Sequence, residues 1–196
     1  MLDARLCLYS TIFILNVSIL SSSVRPFRIS IPQSILDEIQ TKLSYSNFPE
    51  PYESFPEGEN EWTRGTSIRY LKELREFWYN GTSSGNSDSV AKSTYDWRVT
   101  EAALNEEMPQ FITKIDDFDV HFIHARSPHP HAIPLLFTHG WPGSFLECRK
   151  ILPLLTRPTN TSDQAFHLIC PSIPGYGFSS KPKKAGFGAK QAAELF

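Results

Sequence analysis

Residues 139–144, His-Gly-Trp-Pro-Gly-Ser, form the segment of this 196-residue chain best suited by type and order to organise chemistry. They lie between an apolar run, Ile133-Pro-Leu-Leu-Phe-Thr138, and a helical stripe at Phe145, Leu146, Ile151, Leu154 and Leu155. A loop between a buried strand and a helix opens onto the crevice where an α/β sheet binds its ligands. Gly140 lets the backbone turn sharply. Pro142 removes one backbone donor and can follow Trp141 through a cis peptide. The remaining N–H groups could point into the crevice and hold an oxygen that gains negative charge during a reaction. His139, Gly140, Trp141 and Pro142 are therefore candidate site residues, with the Trp141 N–H as the candidate donor. By itself the pattern suits a loop shaped only for packing equally well.

Other clusters are weaker. His121 and His124 are three apart on an expected strand and point to opposite faces. His129 and His131 lie in a Pro-rich turn, and the four together fit no usual zinc spacing. Gly175-Tyr-Gly177 follows Pro171 and Pro174 and opens no helix, so it does not read as a nucleotide loop. Asp96, Asp116 and Asp117 read as a helix cap and a turn, and none has the flanking glycines of a nucleophile elbow. Neither a metal nor a cofactor is expected.

The elements that must position the loop follow from periodicity. Residues 25–31 read as extended. Pro32 suits a first helical position, with Ile35, Leu36, Ile39 and Leu43 on one helical face. Residues 47–65, rich in Pro, Glu and Gly, read as an irregular wrap. Ile68, Leu71, Leu74, Phe77 and Trp78 restore a helical stripe over 66–79. A polar low-complexity loop occupies 80–94, after which Asp96 can cap a short helix carrying Trp97, Ala103 and Leu104. From Pro109 the period changes. Phe111–Ile115 and Val120–Ala125 read as strands joined by a hairpin turn at Asp116-Asp117. Ile133–Thr138 reads as a buried parallel strand, and Phe166–Cys170 as the next, ending in Pro171-Ser-Ile-Pro-Gly-Tyr-Gly-Phe-Ser179. A last helix begins near Ala189. A hairpin followed by strand–helix–strand–helix is an α/β order.

Composition agrees with a packed chain: 40 % hydrophobic, 20 % charged, net charge −2. Scattered Lys and Arg offer no nucleic-acid surface, and no nucleic-acid partner is expected. The first 23 residues differ. Arg5 precedes an apolar run from Leu6 to Leu20, and Ser21, Ser22 and Ser23 follow, the layout of a secretory signal. At about fifteen residues the run is short of the ~20 that cross a bilayer. A signal peptide is favoured over an uncleaved anchor, and either sends the chain into the secretory pathway, to the endoplasmic reticulum membrane or outside the cell. Membrane association, if any, would run through residues 6–20. Sequons stand at Asn16, Asn80 and Asn160. Cys148 and Cys170 sit in apolar stretches and read as buried small hydrophobes without a bridge.

Strand, His-Gly-Trp-Pro-Gly-Ser, helix, strand, Pro-Ser-Ile-Pro-Gly-Tyr-Gly-Phe-Ser is an arrangement that closely resembles the epoxide hydrolase family. Within it, Trp62-x-x-Gly65, Tyr95-Asp-Trp-Arg98, Glu101, Leu104-Asn105, Phe111–Ile115 and Val120–His124 resemble the microsomal branch. The resemblance runs from about Arg25 to Phe196. It implies residues 24–108 as an epoxide hydrolase N-terminal region and 109–196 as the start of an α/β-hydrolase domain, after the signal or anchor at 1–23. The fold expected is the N-terminal half of an α/β-hydrolase, preceded by a meandering, partly helical region.

The resemblance also implies a two-step reaction on a small hydrophobic epoxide. An Asp attacks an epoxide carbon and forms an ester while two Tyr hydroxyls stabilise the opening oxygen. A His with an acidic partner then activates water and releases a vicinal diol. On that pattern Trp141 N–H helps form the oxyanion hole, and His139 holds the loop by hydrogen bonding. The Asp nucleophile, cap tyrosines and catalytic His would all lie beyond Phe196, so the 196 residues alone are expected to be inactive. Loop 80–94 is longer than the family pattern implies and reads as a solvated insertion. A homodimer is a further expectation. Two other readings stand beside this one: an inactive remnant serving as a binding or dimerisation module, and another α/β-hydrolase chemistry such as dehalogenation or ester hydrolysis. Ile133–Thr138 is expected to form an exposed apolar edge in the 196-residue chain.

Overall fold

A computed structural model describes residues 24–80, 95–160 and 162–196. The expected signal or anchor at 1–23 lies outside them, as does nearly all of the 80–94 insertion. Among the described residues no helix is long and apolar enough to cross a membrane. The described residues divide into two compact units, one within 30–102 and one formed by 24–29 with 103–196.

Residues 30–102 are helical and irregular. Helix α1 spans Gln33–Ser44, α2 spans Ile68–Asn80, and α3 begins at Trp97 and runs to Glu107. Pro32 stands just before α1 rather than inside it, where its carbonyl accepts from Ile35 and Leu36. Ser67, 1 % exposed, starts α2 by accepting from Tyr70 N–H at 3.2 Å and donating to Glu61 at 2.8 Å. Asp96 caps α3, taking the Arg98 N–H at 2.7 Å. Glu101 receives Ile31 N–H and the Arg98 guanidinium, which hold its carboxyl below the usual range.

The other unit carries a five-stranded sheet of order β1-β2-β3-β5-β4. Its strands are β1 (Arg25–Pro26), β2 (Gln110–Ile115), β3 (Phe118–Ala125), β4 (Ile133–Leu136) and β5 (Phe166–Pro171). β2 and β3 form the expected hairpin, with Asp116 at φ +50° in a left-handed conformation that Asp tolerates. β3 pairs antiparallel with β5, and β5 pairs parallel with β4. Between β4 and β5 a short 3-10 turn at Phe145–Glu147 leads into α4 (Cys148–Thr156), and α5 spans Ala189–Leu195. The core gathers on one sheet face: Ile112, Ile123, Ala125, Leu168 and Cys170 are buried there with Phe145 and Cys148.

One expectation is met and one needs correction. Ile133–Leu136 is parallel, and it is exposed as expected of an apolar edge. It is the sheet edge, and Ile133 and Leu136 are each 49 % exposed. Ile133 and Phe137 donate toward β5. By alternation Pro134 and Leu136 face away, so Pro134's missing N–H falls on the open side, where it costs no ladder bond and blunts the edge. Cys148 and Cys170 are not separate thiols. They form a disulfide across 22 residues, both about 1 % exposed. Local composition read them as hydrophobes because only the docking of α4 against the end of β5 brings them together.

Candidate functional site

The site is built from two loops at the C-terminal ends of the parallel pair, residues 137–144 after β4 and 172–180 after β5. Parallel strands carry both loops to the same end of the sheet, which is where such sheets form their crevice.

His139 joins the loops. It is 4 % exposed, and its ring lies edge-on to Tyr176, 5.0 Å between centroids. Ile173 N–H donates to His139 Nε2 at 3.2 Å. Nε2 is therefore an acceptor, the proton sits on Nδ1, and Nδ1 donates to Gly140 O at 3.0 Å. One neutral imidazole thus binds the second loop through one nitrogen and the first through the other. Gly140 O also takes Gly143 N–H at 3.0 Å, closing the turn that carries Trp141 and Pro142. The Trp141–Pro142 peptide is cis. Ser144 then starts the following 3-10 turn, its hydroxyl accepting from Leu146 N–H at 3.3 Å. Trp141 is 83 % exposed, and among the described residues its backbone N–H makes no hydrogen bond. The four sequence-predicted residues thus lie on a braced turn, and the Trp141 N–H is among its backbone donors that no described residue claims.

The second loop is sewn to β3. Ser172 N–H donates to His121 O at 2.8 Å, Ser180 N–H to Asp119 O at 2.9 Å, and Ser180 Oγ accepts from Asp119 N–H at 3.0 Å. Ser179 Oγ accepts from His121 N–H at 2.9 Å and donates to Ser172 O at 2.7 Å. Gly177 has φ +52°, and a β-carbon there would stand 2.7 Å from Ser172 Oγ and 3.3 Å from Phe145. Gly177→Ala should therefore lower stability by about 2 kcal/mol through strain and overpacking. Urea denaturation reads this; an unchanged midpoint would mean that the loop yields freely.

His121, at the centre of that seam, was placed on a strand by the sequence but not assigned to the site. Its partners lie 11 and 51 residues away, so no local signal marks them. His124 is half-buried, and its pKa is lowered by burial, Arg126 and His167. Among the described residues no three His, Cys, Asp or Glu side chains gather to hold a metal. A cavity of about 480 Å³ lined by Leu36, Ile39, Trp78, Tyr95 and Trp97 lies within residues 30–102 and contains no residue of loop 139–144.

The family model described as epoxide hydrolase N terminus matches residues 24–148, and one described as alpha/beta hydrolase fold matches 133–196. A putative epoxide hydrolase of Stigmatella aurantiaca is 39 % identical over 176 residues, 88 % of this chain and 36 % of that protein. Epoxide hydrolase 1 of Sus scrofa is 36 % identical over 181 residues, 89 % of this chain and 36 % of that protein. The solved epoxide hydrolase of Aspergillus niger superposes with a TM-score of 0.68 at 34 % identity, covering 88 % of this chain and 41 % of its own. The juvenile hormone epoxide hydrolase of Bombyx mori gives 0.70 at 26 % identity, covering 88 % and 37 %. The chain spans about a third of the length of the curated relatives it matches. With most of its length inside the epoxide hydrolase N-terminal model and its sheet continuing into the α/β-hydrolase fold, this chain belongs to the epoxide hydrolase family.

Proposed function

We propose that the whole protein to which this chain contributes hydrolyses small hydrophobic epoxides to vicinal diols. The observation that carries the proposal is the braced turn at 139–143, which holds the Trp141 N–H, unpaired among the described residues, at the crevice end of β4 within an epoxide hydrolase N-terminal frame. On this reading an Asp carboxylate outside these residues attacks an epoxide carbon. The C–O bond breaks, and the ring oxygen leaves as an alkoxide that takes a proton from a tyrosine hydroxyl. Water, activated by a histidine, then adds to the ester carbonyl. The Trp141 N–H stabilises the tetrahedral oxyanion, which collapses to regenerate the Asp carboxylate as the diol alkoxide leaves and takes the proton held by the histidine. Residues 24–108 act as the N-terminal region and 109–196 as the start of the catalytic domain. The apolar run at 6–20 supports entry into the secretory pathway, and the buried Cys148–Cys170 bridge fits an oxidising compartment. A homodimer is part of the same reading.

Diol formation from alkyl and aryl epoxides, assayed with the protein translated from the complete message and with the 196 residues alone, tests this. Turnover is expected from the first and none from the second. A single turnover in heavy-oxygen water should release unlabelled diol, because the transferred oxygen comes from the Asp carboxylate. Labelled diol would exclude the ester intermediate, and no diol with any epoxide would exclude the function.

A further inference from the structure

Behind the two crevice loops runs a line of buried polar side chains whose donors and acceptors can be read off one after another. Asn105 clamps Ile29 at both backbone groups: Oδ1 accepts Ile29 N–H at 2.8 Å, and Nδ2 donates to Ile29 O at 2.9 Å. An N–H can only donate and a carbonyl only accept, so this clamp orients the Asn105 amide. Gln110 Nε2 lies 3.3 Å from that Asn105 oxygen and 3.5 Å from Leu104 O, two acceptors, which orients the Gln110 amide in turn. Gln110 Oε1 then faces His121 Nε2 at 3.0 Å. An acceptor in that place requires a proton on Nε2. Nδ1 is left as the acceptor, 2.9 Å from Ser172 Oγ, so the Ser172 hydroxyl must donate.

His121 is fully buried, and Phe27, Phe145 and Phe178 meet its ring edge-on at 5.0–5.3 Å. No carboxylate or cation hydrogen-bonds it from β2, from β3 or from the loop after β5. Burial alone pushes its pKa down to about 4, which keeps the ring neutral.

We infer that His121 is a positioning residue for the crevice: its Nδ1 fixes the Ser172 hydroxyl, Ser172 sets Ile173, and Ile173 holds His139 and the turn bearing Trp141. The order of contacts is continuous, from Ser172 to the adjacent Ile173 N–H, to His139 Nε2, and from His139 Nδ1 to Gly140 O. The loop geometry stands whichever reaction the crevice serves. Only its consequence for catalysis rests on the role proposed for Trp141.

A merely structural role would make His121 a filler of the space between three phenylalanines. Two substitutions separate the possibilities. His121→Asn places an amide about where Nδ1 lies and can still accept from Ser172. His121→Gln reaches to the Nε2 position and keeps Gln110 instead. Both lose the ring packing. Hydrogen exchange on the 196-residue chain would follow the amides of Ser172, Ile173, Tyr176 and Ser180. His121→Gln should expose them about tenfold faster relative to β2, as loss of one buried hydrogen bond allows, while His121→Asn leaves their ratio nearly unchanged. Equal exposure in both variants, or in neither, overturns the inference.

Should both variants unfold, nitrogen chemical shifts of the unaltered protein decide the matter. A neutral His121 protonated on Nε2 supports the relay, and the Nδ1–H form or an imidazolium at neutral pH refutes it. If loop protection behaves as expected but the whole protein makes no diol, the functional proposal fails and this one stands.

Discussion

Acidification from pH 6.5 toward 4 should cost the sheet unit about 3 kcal/mol of stability, most of it lost above the range in which carboxylates protonate. The cause is His121, whose pKa falls from 6.5 to about 4 because burial disfavours the imidazolium. Between those values the unfolded chain binds a proton that the folded chain refuses. The stabilisation is therefore fully present above pH 6.5 and is lost as pH falls through the window. His124, lowered by burial and by Arg126 and His167, adds in the same direction. Glu107 is held below the carboxylate range by Arg149, and its contribution is lost only below about 4.5. That pair is solvent-exposed and contributes little. Urea denaturation at a series of pH values measures the slope, and His121→Gln should flatten most of it. A profile that is level through the window, or that His121→Gln leaves as steep, would mean that His121 is charged in the folded protein.

The double substitution Cys148→Ala, Cys170→Ala should destabilise the same unit by about 3 kcal/mol, the loop-closure entropy of a bridge of this span. The two residues lie 22 apart and are almost fully buried at the junction of α4 with β5. They tie the helix that follows the first crevice loop to the strand that precedes the second, so their loss loosens both. The unaltered protein, refolded with reductant, should match the variant. Alkylation of the native, air-oxidised protein should label neither cysteine. Stoichiometric labelling of both, or a variant as stable as its parent, would show that the bridge does not form in solution.

How much of this was legible beforehand differs by feature. The change of period near Pro109 marked the hairpin, and Asp116-Asp117 marked its turn, because alternation and turn chemistry are written in adjacent residues. The Asp96 cap was legible for the same reason. Ile133–Leu136 is the exposed edge that the element order implied, although its apolar character alone reads as a buried strand. Its protection by Pro134 depends on which way that residue faces in the ladder, a matter of register. Cys148 and Cys170 looked like ordinary core residues because apolar flanks are common to free and bridged cysteines.

The sequence by itself determined the order of elements, the position of the His139–Ser144 loop and the family to which the chain belongs. These depend on short windows of residue type and on motifs read in a line. The tertiary structure alone decided what braces the loop. Gln110, His121 and Ser172 come from β2, β3 and the loop after β5, and they meet only because β3 lies between β2 and β5. The tautomers of His121 and His139, the disulfide and the need for Gly177 follow from that strand order, since each depends on which groups the folded backbone brings within hydrogen-bonding or van der Waals distance.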